Sequence, residues 1–130
     1  MSGYLLDTHI WLWGHTARER LGDDVRALIE EGTHDIYVSA ATPWEIAIKY
    51  AIGKLPLPDE PGAYLPDRLR RSGTVVLPID LPHSLRAGAL PLHHRDPFDR
   101  VIIAQAQILD IPVITADPAF ELYDVRTITV

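Results

Sequence analysis

The chain of 130 residues contains no cysteine. This absence excludes disulfides, thiolate zinc sites and a cysteine nucleophile, and it is compatible with a reducing cytoplasm. No stretch approaches the roughly 20 apolar residues that span a bilayer, and no basic segment followed by a long apolar run begins the chain. We therefore expect a soluble, cytoplasmic protein with no membrane partner. Since domains commonly contain about 100 to 150 residues, we expect residues 1–130 to form a single domain.

Basic residues are also scarce. Twelve Lys and Arg residues stand against 18 Asp and Glu residues, which gives a formal net charge of -6. This deficit argues against a broad basic surface that binds the phosphate backbone of a nucleic acid. It leaves open a nucleic-acid enzyme in which metal ions neutralise a local cluster of carboxylates.

Short apolar segments alternate with helical patterns along the whole chain. The predicted strands are residues 4–6, 35–39, 74–77, 113–115 and 125–130. The predicted helices lead away from position 10 and then cover residues 22–31, 42–53, 64–71, 81–89 and 96–109. This alternation predicts an α/β fold, namely a three-layer α/β/α domain with a central parallel sheet of about five strands.

Two of the predicted helices begin with the same pattern. The sequences TPWE at 42–45 and DPFD at 96–99 each place a capping side chain first, a proline second and an acid fourth. The pattern predicts that Thr42 and Asp96 are N-caps, with the proline as the first helical residue. Asp96 is interpreted as a cap first and as a metal ligand second.

Four acids fall at one edge of this predicted sheet. Asp7 and Asp117 directly follow two strands, whereas Glu45 and Asp99 lie in the first turns of helices that begin at the same edge. Ligands of open parallel sheets bind beyond the carboxyl ends of the strands. Carboxylates crowded into one crevice repel each other, so the arrangement implies a cation, and oxygen ligands without cysteine favour Mg²⁺ or Mn²⁺ over zinc.

Each of these acids also has a local explanation. Asp7 is a suitable helix cap, Glu45 and Asp99 fit capping boxes, and Asp117 fits an Asx-turn before proline. Residues alone therefore leave two interpretations, a metal site or four independent caps.

Four motifs in order along the chain resemble those of PIN domains, and more narrowly those of the VapC-type toxin ribonucleases of bacterial toxin-antitoxin pairs. They are DTH at 7–9, PWEI at 43–46, DPFDR at 96–100 followed by IAQA at 103–106, and TADPAF at 115–120. The resemblance covers essentially the whole chain. It implies an acidic quartet around one or two divalent ions, formed by Asp7, Glu45, Asp99 and Asp117. Thr8 and Thr115 would be polar neighbours.

The resemblance also implies an activity, a metal-dependent endoribonuclease that hydrolyses RNA with an activated water. Asp7 and Asp99 would hold the principal ion, Glu45 would position or deprotonate the water, and Asp117 would orient water or complete a second ion site. The implied partners are the RNA substrate, a second copy of the chain in a homodimer, and a small antitoxin whose tail covers the crevice.

Other residues have weaker claims to a role. Several basic residues are candidates for RNA contacts and equally for ordinary surface positions: Lys49, Lys54, His93, His94, Arg95 and Arg100. Neither His9 nor His15 has a visible partner for acid-base chemistry. The tryptophans are interpreted as core or interface residues and not as base-stacking platforms: Trp11, Trp13 and Trp44.

Three other functions are compatible with this fold class. A receiver-like phospho-acceptor domain needs a lysine at the end of its last strand, but the lysines here are Lys49 and Lys54. An aspartate-nucleophile phosphohydrolase needs an acid two residues after the first, and position 9 is histidine. A non-catalytic interaction domain of the same fold remains the main alternative, although the presence of all four acids argues against it.

Overall fold

A parallel sheet of five strands forms the centre of the protein, whose computed structural model describes residues 3–130. The strands are β1 (Gly3–Leu6), β2 (Asp35–Ser39), β3 (Val75–Leu77), β4 (Val113–Thr115) and β5 (Thr127–Thr129). Their spatial order is β3-β2-β1-β4-β5, and all four pairings are parallel. The predicted fold class is therefore confirmed, with each of the five predicted strands present.

Helices cover both faces of this sheet. They are α1 (Thr8–Thr16), α2 (Asp23–Glu30), α3 (Ala41–Ala51), α4 (Pro61–Arg71), α5 (Leu81–Ala89) and α6 (Pro97–Leu109). Two short 3-10 helices, which the sequence patterns did not predict, lie at Arg18–Leu21 and Pro118–Leu122. No helix among residues 3–130 is long and apolar enough to cross a membrane.

The first strand, β1, is the centre of the core because it pairs with β2 on one side and β4 on the other. Leu5 and Leu6 are 0% and 2% exposed and point to opposite faces, as successive strand residues do. Leu6 packs in a cluster with residues of α1 to α4, whereas Leu5 packs with residues of α6. Burial on both faces explains why this strand is a continuous apolar run.

The predicted N-cap of α3 is wrong. The helix begins at Ala41 after Ala40 in the cap position, and the N-H of Ala41 donates to Ser39 Oγ at 3.0 Å, so the last residue of β2 supplies a hydrogen bond at the helix start. Thr42 lies inside the helix, where its hydroxyl is 2.9 Å from Thr8 Oγ1. Since Ser39 ends the strand directly before the helix, no loop is left in which Thr42 would serve as a cap.

Other element boundaries also differ from the predictions, by one to three residues in most cases. Helix α4 begins at Pro61, three residues earlier than predicted, and tolerates Pro66 in its interior. Strand β5 is shorter than predicted because β4 offers only three residues with which it can pair. Strand β3 likewise begins at Val75 and not at residue 74.

Candidate metal centre

The four predicted acids all lie at the carboxyl edge of the sheet. Asp7 directly follows β1, Asp117 lies two residues after β4, Glu45 is in α3, and Asp99 is the third residue of α6. A crevice of about 230 Å³ opens there, and its lining residues are Asp7, His9, Trp13, Asp99, Ala116 and Asp117. Glu45 does not line this opening but is close enough for its charge to act on Asp7 and Asp99.

Asp7 is held rigidly at the base of the crevice. It is 3% exposed, and its Oδ2 accepts a hydrogen bond of 2.8 Å from Thr115 Oγ1. Its side chain makes no capping bond to α1, so the cap explanation fails for this residue. No residue in the range 3–130 donates a hydrogen bond to the buried Oδ1. Burial raises the pKa of Asp7 because the charged form loses hydration.

Glu45 is buried behind Asp7 and has one partner. It is 2% exposed, and Lys49 Nζ, one helical turn later, donates to its Oε2. The capping-box explanation fails here, because the residue at the helix start is Ala40, which has no capping side chain. The second oxygen, Oε1, has no donor within the described part of the chain.

Asp99 has the most perturbed environment of the four acids. Burial, followed by the negative charges of Asp7, Asp96, Glu45 and Asp117, raises its pKa to about 8. The predicted cap is confirmed for Asp96, whose Oδ1 accepts from the N-H groups of Phe98 and Asp99. The N-H of Asp96 donates to His94 Nδ1 and not to Asp99, so Asp99 does not complete a capping box.

Asp117 combines a local role with a place in the cluster. Its Oδ1 accepts from the N-H of Ala119 at 2.9 Å, which confirms the predicted Asx-turn. Its other oxygen, Oδ2, lies 3.1 Å from His94 Nε2. Thr115 links two of the acids, since its hydroxyl donates to Asp7 and accepts from the N-H of Asp117. A capping role and a site role therefore coexist in one residue.

His94 is the residue whose place in the site was missed. It was a candidate for contacting RNA phosphates, but its Nε2 lies 2.8 Å from Asp99 Oδ2 as well as 3.1 Å from Asp117 Oδ2. The nitrogen and the two carboxylate groups offer ligand atoms that all lie within 4.8 Å of one another. A signal was available, because His94 stands two residues before the cap of α6 and so must lie near Asp99.

Arg100 is not available for RNA, contrary to the prediction. It is 8% exposed, and its two terminal nitrogens donate to four backbone carbonyl groups, those of Gly88, Leu90, Pro91 and His94. Lys49 is already paired with Glu45, whereas Lys54 and Arg95 are exposed. Arg100 therefore organises the connection between α5 and α6, which carries His94.

The three tryptophans have different environments. Trp11 is 2% exposed and belongs to the core, as predicted. Trp13 lines the crevice and lies beneath the guanidinium of Arg20, 4.1 Å from the ring centroid. Trp44 is 59% exposed and packs edge to face against Phe98. Its place beside Glu45 puts an exposed apolar surface next to the acids.

The donor set fits a hard divalent cation. Asp7 and Glu45 each present a buried carboxylate oxygen that no residue of 3–130 satisfies, a costly arrangement unless a cation binds there. Burial raises the pKa of Asp99, and the negative charge of the other acids at this edge raises it further. Oxygen ligands of this kind suit Mg²⁺ or Mn²⁺.

Comparison with known proteins agrees with this architecture. The model of the PIN domain family matches residues 4–125. The chain belongs to the PIN domain family. Ribonuclease VapC16 of Mycobacterium tuberculosis is 45% identical to this PIN domain over 62 residues, which are 48% of the chain and 44% of that protein. The PIN domain thus matches less than half the length of that curated relative.

Solved structures share the whole fold of this PIN domain. A DNA-bound VapBC from Salmonella typhimurium superposes with a TM-score of 0.76 at 20% identity, over 99% of this chain and 98% of that chain. VapBC-5 from Mycobacterium tuberculosis, a member of the VapBC family of toxin-antitoxin systems, has a TM-score of 0.62 at 21% identity, with 100% of both chains covered. At these identities the similarity shows a common fold.

Proposed function

We propose that this PIN domain is a metal-dependent endoribonuclease and the toxin of a type II toxin-antitoxin pair. The observation that carries the proposal is the pair of buried carboxylate oxygens, Asp7 Oδ1 and Glu45 Oε1, without donors among the described residues at the carboxyl edge of the sheet. The similarity to a protein named as a ribonuclease supports the choice of RNA as substrate. We also propose that residues 1–130 act as one domain, in the cytoplasm.

Asp7 and Asp99 would hold a Mg²⁺ or Mn²⁺ ion. When bound, the ion supplies Lewis acidity that polarises the scissile phosphate and lowers the pKa of water. Thr115 fixes Asp7 by donating to Oδ2, which leaves Oδ1 for the ion. Asp99 belongs to α6, whose partly positive N-terminus favours the ionised carboxylate that ligation needs.

Glu45 would accept the proton of the attacking water. Lys49 donates to its Oε2, which fixes the side chain and leaves Oε1 as the acceptor. Asp117, anchored by the N-H of Ala119, would orient the same water. Because water attacks in place of the ribose 2′-hydroxyl, the expected products carry 5′-phosphate and 3′-hydroxyl ends.

The surface beside the crevice is suited to an antitoxin. Trp44 and Ile48 are 59% and 38% exposed and lie four residues apart on α3, so they share one face of the helix that carries Glu45, and the C-cap residue Ile52, 59% exposed, follows four residues later. A segment with apolar side chains and one cationic side chain would complement this face and the acids together. We propose such an antitoxin as a partner, and a homodimer as the assembly of the toxin.

The proposal is tested by cleavage of structured RNA in the presence of Mg²⁺. Asp7→Asn should lower kcat/KM by at least about a hundredfold, because one ligand of the ion is lost. Asp24→Asn is the matched control, since Asp24 is exposed on α2 and away from the crevice. The control should cleave at the wild-type rate.

Two outcomes would contradict the proposal. If Asp7→Asn cleaves as fast as the wild type, the acidic quartet is not the active site. If the wild type cleaves no RNA with either Mg²⁺ or Mn²⁺, the chain is a non-catalytic interaction domain of the PIN fold. A receiver-like role is disfavoured by position, because Lys49 lies within α3 and Lys54 follows that helix, so neither ends a strand.

A further inference from the structure

The imidazole of His94 lies directly between two acids of the quartet. Its Nε2 is 2.8 Å from Asp99 Oδ2 and 3.1 Å from Asp117 Oδ2. The three atoms lie within 4.8 Å of one another, so a cation between the two oxygens would either take Nε2 as a ligand or displace the ring.

The hydrogen bonds of the His94 ring indicate which of its two nitrogens carries the hydrogen. The N-H of Asp96 donates to His94 Nδ1 at 3.3 Å, so Nδ1 carries a lone pair and no hydrogen. A neutral ring with an unprotonated Nδ1 carries its hydrogen on Nε2. This N-H can donate to Asp117 Oδ2 and lies in close contact with Asp99 Oδ2, but the nitrogen has no lone pair with which to bind a metal.

The main chain and the ring of His94 are both anchored. Its N-H donates to Tyr123 Oη at 2.7 Å, and its carbonyl accepts from Arg100 Nη1 at 3.1 Å. The ring stands edge to face against Phe120, with centroids 6.1 Å apart. Turning the ring aside for an ion would lose its contact with Phe120 and its hydrogen bond from the N-H of Asp96, so these two contacts stabilise the observed position of the ring.

Donors are distributed unevenly over the quartet. Both oxygens of Asp117 have partners, the N-H of Ala119 on Oδ1 and His94 on Oδ2. In contrast, Asp7 and Glu45 each keep one buried oxygen for which residues 3–130 offer no donor. The carboxylate oxygens that lack a donor therefore belong to Asp7 and Glu45 and not to Asp117.

We propose that His94 is a positioning residue whose Nε2-H holds Asp99 and Asp117 together in place of a second cation. The free protein then binds one divalent ion, shared by Asp7 and Asp99, and Asp117 acts through its hydrogen bonds. This inference rests on the metal site of the proposed function and restricts it to a single ion in the absence of RNA.

The first experiment determines the tautomer of His94. Long-range ¹H-¹⁵N NMR on the ¹⁵N-histidine-labelled wild type should show the hydrogen on Nε2 in chelator, and Mg²⁺ at saturation should leave it there. Loss of the hydrogen from Nε2 on adding Mg²⁺ would make His94 a metal ligand and overturn the inference. The signal is assigned from the spectrum of His94→Gln.

The second experiment counts bound Mn²⁺ by electron paramagnetic resonance of the free ion. The wild type should bind one ion, His94→Ala should bind two because the bridge between the acids is gone, and His94→Gln should return the count to one by offering an amide N-H. His93→Gln is the matched control, since His93 is the exposed neighbour in the same turn. It should bind one ion.

Two bound ions on the wild type, or a single ion on a folded His94→Ala, would overturn the inference. If His94→Ala does not fold, the NMR result on the wild type decides the question. The outcomes remain separate from those of the proposed function. If the wild type cleaves RNA and binds two ions, only the role proposed for His94 is contradicted. If the wild type cleaves no RNA, the proposed ribonuclease activity is contradicted, whatever the number of bound ions.

Discussion

The starts of α3 and α6 carry the same sequence pattern but are built differently. At α6 the first residue of the pattern, Asp96, caps the helix, and the fourth residue, Asp99, lines the crevice. At α3 the hydrogen bond at the helix start is accepted by Ser39, three residues before Thr42, and the acid Glu45 is buried outside the crevice lining with Lys49 as its partner. The same pattern therefore places one acid in the open crevice and another in a buried position.

The difference has a simple cause in what precedes each helix. Strand β2 ends at Ser39 and α3 begins at Ala41, so the chain turns from strand to helix with no loop between them. Helix α6 follows an irregular connection in which Asp96 is free to turn its side chain onto the helix N-terminus. A capping pattern thus predicts that a helix is near, while the preceding residues decide where it begins.

The largest expected effect is on the rate of RNA cleavage, and it distinguishes Glu45 near the start of α3 from Asp96, the cap of α6. Glu45→Gln should lower the rate of RNA cleavage by at least about a hundredfold, because it removes the proposed proton acceptor. Asp96→Asn should stay within about tenfold of the wild type, since Asn caps a helix as well as Asp. Equal losses in single-turnover cleavage would mean that the two residues do not have the different roles assigned to them.

The role of Asp99 as a metal ligand can be tested by thermal stability without measuring activity. A ligand that binds only the folded state adds about 2.7 kcal/mol at a hundredfold excess over Kd, so Mn²⁺ should raise the Tm of the wild type. Asp99→Asn should lose most of this rise. In chelator it should be no less stable than the wild type, because an amide avoids the cost of holding an ionisable carboxyl group in a buried place among like charges. A wild-type Tm that does not change when Mn²⁺ is added would contradict the proposed metal site.

The raised pKa of Asp99 predicts a pH dependence in chelator. Between its ordinary pKa of 3.8 and the folded value of about 8, the folded protein holds a proton that the unfolded chain has released. The free energy of unfolding should therefore fall as pH rises through this window, by at most about 1.4 kcal/mol per pH unit for one proton.

Asp99→Asn is the control for this titration and should give a shallower slope in urea denaturation. In Asp99→Asn the free energy of unfolding should still fall as pH rises, because burial also raises the pKa of Asp7. A wild-type slope equal to that of Asp99→Asn would show that Asp99 is ionised in the folded protein without metal.

The smallest expected effects test the two caps. Ser39→Ala and Asp96→Ala should each cost about 1 kcal/mol of unfolding free energy, since each removes a helix cap. Replacing Thr8 and Thr42 together by Val should be close to neutral, because both partners of one buried hydrogen bond are exchanged for apolar groups of similar shape. A loss for the double variant as large as that for Ser39→Ala would restore Thr42 as a determinant of the helix start.

Apolar periodicity was sufficient to predict the sheet. Leu5 and Leu6 are buried on opposite faces, and this two-sided burial leaves the continuous apolar run from which β1 was predicted. Helices α5 and α6 were predicted at their observed bounds, as each begins with a side-chain cap and a proline. The predicted boundaries were wrong where pairing with a neighbouring strand sets them, as at β5, whose length is limited by β4.

The arrangement inside the site was only partly predictable. The edge of the sheet on which Asp7 and Asp117 lie follows from strand order alone. The partners of each carboxylate do not, since they depend on contacts between residues far apart in sequence, such as His94 with Asp117 and Thr8 with Thr42. Arg100 shows the same limit, because its charge suggested a surface role although its partners are backbone carbonyl groups.

The bond between Thr115 and Asp7 joins residues that are 108 positions apart. Contacts of such long range form late, because a large loop must close before they can contribute. During synthesis β1 emerges first, but its neighbour β4 and the hydroxyl that fixes Asp7 emerge only near the end of the chain. A nascent chain held on the ribosome therefore lacks an assembled site until Thr115 has been made.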